Sequence, residues 1–135
     1  MTELLEHAAE EYLQLPDLSI EILDVLPIAV LAVGHHGRIK LANRAAQLLT
    51  GYHRSLLLGQ PVELLVPEPL RDLHATSHRP GYLAAPRERP MGLGRELRLR
   101  TQSGTEIPVS IELQPLPTPA GLLTVIAIVR VPRAG

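Results

Sequence analysis

The chain has 135 residues, 13 basic and 14 acidic side chains and a formal charge of -1, which leaves room for one domain with one core and no electrostatic footprint for nucleic acid or acidic lipid. It contains no cysteine, which excludes disulfides, cysteine-ligated zinc, iron–sulfur centres, thiol nucleophiles and cysteinyl–flavin photochemistry. No apolar run approaches the roughly 18 residues of a membrane span, and no signal peptide follows Met1, so the expectation is a cytoplasmic chain without a membrane partner.

The first predicted element is an amphipathic helix in "TELLEHAAEEYLQL", with Leu4, Leu5, Ala8, Tyr12 and Leu15 at helical spacing and Pro16 ending it. A second short helix, "LSIEILDVL", starts from Asp17 or Ser19 as N-cap and stops before Pro27, with Ile20, Leu23 and Leu26 as its apolar positions. Residues 1–26 therefore read as a helical cap or homodimer segment ahead of a domain at 27–135. "IAVLAV", the turn "GHHGR" and "IKLAN" form a hairpin, with His35 and His36 as turn residues. Asn43 is placed to N-cap the next helix, and Gly51 to end it. "RSLLLGQPVELLVP" reads as two helical pieces joined at Gly59–Gln60–Pro61. "EPLRDLHATSH" is a further helix, with Leu70, Leu73 and Ser77 on one face, and "RPGYLAAPRERPMG" reads as irregular.

Three strands follow, at Leu93–Arg100, Glu106–Leu113 and, after a Pro-rich turn, in "LLTVIAIV". The middle one alternates apolar and polar, which describes a strand with one wet face. The last strand, like "IAVLAV", is apolar almost throughout, which describes a central strand covered on both faces. Two strands, several short helices and three more strands make an α+β domain, an antiparallel sheet with its helices on one face. Tyr occurs three times, and Phe and Trp not at all. The core is thus filled by Leu, Ile, Val and Ala, or by something that is not protein.

At this point the residues resemble a known family. The run "ILDVLPIAVLAVGHHGRIKLANRAAQLLTGY" is similar to the opening of a PAS domain, and "RELRLRTQSGTEIPVSIELQPL" to its second half. The likeness covers about Ile22 to Val131. It implies a five-stranded antiparallel sheet in the order 2-1-5-4-3 with helices over one face, a pocket between them, and a role in sensing and signal relay through ligand pockets and dimer contacts.

Within that frame two side chains stand out. Arg95 shares strand parity with Leu93, Leu97 and Leu99, so regular alternation turns it toward the core. Arginine is almost never buried unpaired, so it reaches the rim, pairs with a carboxylate such as Asp72 or Glu63, or faces a polar ligand. His74 lies on the helix before the irregular passage. The oxygen-sensing haem domains of the family carry a proximal histidine on that helix and a distal arginine some twenty residues later. The resemblance therefore implies His74 as ligand to the iron of haem b and Arg95 as distal donor. Met91, Leu93, Ile126 and Ile128 would be the apolar lining, and Arg79, Arg87, Arg89 or His78 would meet the propionates. Similar PAS domains carry the same histidine without haem, so the pocket is equally open to another small apolar or anionic molecule, to non-covalent flavin, or to nothing. His74 and His78 lack a third ligand for a simple metal site.

An enzyme reading finds no Gly-x-Ser-x-Gly elbow, phosphate loop or paired carboxylates. The expectation is a bacterial-type sensory regulator that binds a small ligand, pairs as a homodimer through its N-terminal helix and acts on a downstream signalling protein or domain. The rival reading is a ligand-free module for interaction and dimerisation.

Overall fold

In the computed structural model, residues 16–87, 89–90 and 97–132 are described. The first predicted helix lies outside them. Helix α1 spans Pro16–Val25, with proline tolerated at a helix start because its missing N–H has no intrahelical partner there. Its three apolar positions do not share one environment. Leu23 is half-buried, but Ile20 and Leu26 are exposed, because the side turned to the domain is held by polar groups described below.

Strand β1 (Ala29–Gly34) turns into β2 (Ile39–Ala42), and short helical pieces follow: α2 at Arg44–Thr50 and α3 at Arg54–Leu57. Next come 3-10 turns at Val62–Leu65 and Glu68–Leu70, α4 at Arg71–Leu73, a π-helical turn at His74–His78 and α5 at Arg79–Ala84. Strands β3 (Arg89–Pro90), β4 (Leu97–Arg100), β5 (Glu106–Thr118) and β6 (Gly121–Arg130) complete the chain.

The expected boundaries at Asn43 and Gly51 hold. Asn43 Oδ1 accepts the N–H of Ala46 at the start of α2, and Gly51 ends it at φ 79°, a left-handed conformation open to glycine. Two expectations fail at prolines. The passage "RPGYLA", expected to be irregular, is α5. A helix survives Pro80 because the wide π-turn precedes it: the Arg79 N–H reaches back five residues to the His74 carbonyl. In a regular helix the Pro80 ring would collide with the carbonyl four residues earlier. Likewise the "Pro-rich turn" before the last strand is mostly strand. β5 runs through Pro115 and Pro117, paired to Thr124 and Leu122 of β6. The pairing of β3 with β5 involves Glu112 and Leu113 only, so these prolines lie beyond it on a sheet margin, where lost N–H donors are tolerated.

The sheet is antiparallel, in the order β2-β1-β6-β5 followed by β3 and β4, which lie one after the other along the same side of β5. With those two short strands counted as one edge position, this is the 2-1-5-4-3 arrangement. The apolar strands β1 and β6 are neighbours at the centre, but the expected cover on both faces of β6 is not found: Val125 and Ala127 are half-buried and Val129 is exposed, because the helices pack on one face of the sheet. Their inward residues Leu31, Val33, Ile126 and Ile128 form one buried cluster with Ile107, Val109 and Leu113 of β5 and Leu99 of β4. Ala46, Leu57, Leu65 and Tyr82 close the cluster from the helical side. No helix among the described residues is long and apolar enough to cross a membrane.

Candidate functional site

The site is built around an acidic residue. Glu63, in the 3-10 turn after Pro61, is only 8% exposed. Its Oε2 lies 2.7 Å from His74 Nδ1 and accepts the Arg79 Nε–H at 3.2 Å; its Oε1 accepts an Arg79 Nη2–H, also at 3.2 Å. A carboxylate this deep needs a counter-charge and hydrogen bonds on both oxygens, and the guanidinium and imidazole supply them.

The π-turn is what brings the two donors together. In a regular helix, residues five apart point about 140° from each other. A turn closed by an i to i+5 bond stacks them on one side, and His74 and Arg79 are five apart. Arg71 fixes the other half of the arrangement. It donates to the carbonyls of Val66 (3.0 Å) and Leu64 (3.2 Å), tying the Glu63 turn to α4. The hairpin between β1 and β2 closes the ensemble. A Cβ on Gly37, which sits at φ 80°, would lie 2.4 Å from the Arg79 guanidinium carbon, so the arginine fits only because residue 37 has no side chain. The Gly37 carbonyl also accepts the Val62 N–H at 2.9 Å.

Of the residues singled out in the sequence, His74 is therefore half-buried and held at Nδ1 by a carboxylate. With that atom as the donor, Nε2 is left as the ring's lone-pair nitrogen, the way a metal-ligating histidine is oriented by its outer partner. In donor chemistry an imidazole nitrogen of His74 would suit haem iron as a ligand. Ile126 and Ile128 are buried, packed in the core cluster with Leu57 and Tyr82. Arg95, Met91 and Leu93 lie outside the described residues. Leu99, of the same parity as Arg95, is buried and Leu97 half-buried. Glu63, one of the two carboxylates considered for Arg95, is already engaged on both oxygens, as is Arg79, one of the groups considered for the propionates. His78 is exposed, its ring centroid 6.3 Å from that of His74. Two surface grooves, of about 430 and 160 Å³, lie where β6 ends, and neither is lined by His74.

Sequence reasoning missed the central role of Glu63 and the part of Arg71. The one available signal was an apolar "VELLVP" with a single acid in it, ahead of a helix bearing His and Arg. A second polar centre was also missed in part. Asn43 was expected only as a cap, yet it is 1% exposed and makes four side-chain hydrogen bonds. Its Oδ1 accepts from Val30 (2.9 Å) and Ala46 (3.0 Å), and its Nδ2 donates to the carbonyls of Leu23 (2.8 Å) and Ile28 (2.9 Å). It thereby pins the end of α1 and the start of β1 to α2.

This architecture, one antiparallel sheet with short helices packed on a single face, defines a sensory and signalling class of domain. The chain belongs to the PAS family: the PAS fold model matches residues 21–131. It is 32% identical over 92 residues to the sensor protein FixL of Bradyrhizobium diazoefficiens, covering 68% of this chain and 18% of that protein. It is 32% identical over 79 residues to the oxygen sensor protein DosP of Escherichia coli, covering 56% of this chain and 9% of that one. The chain thus spans less than a fifth of either relative. Among solved structures, the PAS domain of an HTR-like protein from Haloarcula marismortui superposes with a TM-score of 0.71 at 12% identity, over 93% of this chain and 99% of that one.

Proposed function

We propose that this PAS domain is a non-catalytic sensory module that answers a small ligand or a protein partner. It relays the response to a downstream signalling protein or domain through homodimer contacts made by the helical segment 1–26, ahead of a domain at 27–135. The observation that carries this reading is the outward apolar face of α1. Ile22, Val25 and Leu26, spaced three and four apart, are exposed, Val25 at 79%, while Leu23 and Asp24 are turned toward the domain. An apolar stripe on the outside of a helix is the pattern of a helix that packs on another. The expected result is a dimer by sedimentation. Removal of residues 1–15, or Ile22→Asp with Val25→Asp, shifts the mass toward a monomer. An unchanged mass in both variants rejects the helical interface.

A second reading, haem b as the sensing group, is favoured by the carboxylate on His74 Nδ1 and by the likeness to proteins named as a sensor and an oxygen sensor. His74 would hold the iron, which would supply a binding position for a diatomic gas. Arg95 would offer a hydrogen-bond donor on the distal side, with Met91, Leu93, Ile126 and Ile128 as apolar lining. Protein expressed with haem supplied is then expected to show a Soret band that His74→Ala abolishes. A colourless protein indifferent to added haem overturns this reading.

A further inference from the structure

Among the described residues, the attachment of α1 to the domain includes three directional polar contacts beside the half-buried Leu23. Asn43 holds the Leu23 carbonyl, and Asp24 Oδ1 accepts the Arg44 N–H at 2.9 Å and an Arg54 Nη2–H at 2.6 Å. The Asp24 and Arg54 side chains are 30% and 31% exposed, so water competes for their ion pair and it adds little net stability. The larger apolar side chains Ile22, Val25 and Leu26 point the other way. A helix held like this is seated without a large apolar area to keep it there, and a few directional contacts decide its position.

Of those contacts, Arg54 ties α1 to two further parts of the domain, the end of β2 and α2. Its Nε donates to the Ala42 carbonyl at the end of β2 at 2.8 Å, and its backbone N–H donates to Gln47 Oε1 of α2 at 2.9 Å. Three residues on, in the same short helix α3, Leu57 is completely buried in the core. Protein cores are close-packed, so a change in what occupies the space beside Leu57 is passed on as a shift of α3.

We propose that Arg54 is a relay residue: its ion pair with Asp24 is the catch through which movement of the core and α3 is transmitted to α1. This rests on the reading of α1 as the helix that carries the response. The guanidinium is prepositioned by Ala42, so a displacement of α3 changes its alignment with Asp24 before any apolar contact of α1 is broken. Release of the catch leaves Asn43 as a pivot at Leu23, about which the exposed stripe of α1 can swing against its partner.

Hydrogen exchange on the full chain tests this as a double-mutant cycle. Asp24→Asn and Arg54→Gln are each expected to raise amide exchange across residues 20–28 about five-fold, with the amides of β5 and β6 unchanged. The double variant should raise exchange by less than the product of the two single effects, because the Asp24–Arg54 contact is the one both variants weaken. Unchanged exchange in α1, additive effects, or an equal rise across β5 and β6 overturns the catch. Sedimentation of the same samples separates this from the dimer reading. A monomeric parent with the coupled exchange pattern removes the dimer and leaves the catch in place, whereas a dimer without that pattern does the reverse.

Discussion

Asn43→Ala will lower the stability of the domain by about 3 kcal/mol, read as a drop in the urea midpoint without a change in slope. The loss has two parts. Removing the side chain takes the N-cap from α2, worth about 1 kcal/mol. It also strips the Val30 N–H and the Leu23 and Ile28 carbonyls of a partner inside a site that is 1% exposed. Groups left that way cost about 1–3 kcal/mol when water cannot reach them, and the carbonyls near α1 will be partly rescued by solvent. Asn43→Ser separates the parts. A serine oxygen restores the cap but cannot span to Leu23 and Ile28, so about 1 kcal/mol should return. Equal midpoints for Ala and Ser would show that capping contributes nothing here.

Glu63→Leu should cost about 3 kcal/mol, because it leaves the Arg79 guanidinium, pressed against Gly37, without a counter-charge. Arg79 keeps some exposure and can turn toward water, which sets the figure at the lower end of the range for broken buried pairs. The informative comparison is the double variant Glu63→Leu with Arg79→Met. With both charges gone, the desolvation cost vanishes and methionine can fill the space, so the double variant should be more stable than Glu63→Leu alone. A double variant less stable than the single one would mean that Arg79 holds the β1–β2 hairpin through packing rather than through charge. Denaturant midpoints for the three proteins decide it.

Much of the fold was legible because local signals agreed with the tertiary result. Asn43 and Gly51 bracket α2 through cap chemistry that depends only on near neighbours. The apolar runs of β1 and β6 announce central strands because nothing polar could face the helices or the neighbouring strands. What could not be read depends on contacts between distant residues. The helical path through Pro80 requires the π-turn. That turn is held by a carboxylate 11 residues before His74, a separation at which no periodicity operates. β5 passes through Pro115 and Pro117 because, among the described residues, it has a partner on one side only there, and strand propensity does not report on neighbours. Which face of α1 turns inward was left open because apolar spacing fits either orientation; Asp24, reaching Arg54 thirty residues on, decides it. His74 was marked as a candidate haem ligand, and the contact that holds its Nδ1, to Glu63 on a neighbouring turn, gave no local signal.

The adjacency of β1 and β6 at the middle of the sheet has a consequence for biogenesis. Ala29 pairs with Ile128, so the central seam joins one of the earliest-made strands to the last one made. While the polypeptide is still emerging from the ribosome, the β1–β2 hairpin has an open, apolar margin and nothing to zip onto. The domain thus completes its sheet only after synthesis has passed Arg130, and contacts of such long sequence separation form slowly. In that interval the bare margin of β1 is the part of the molecule most in need of shielding by a chaperone.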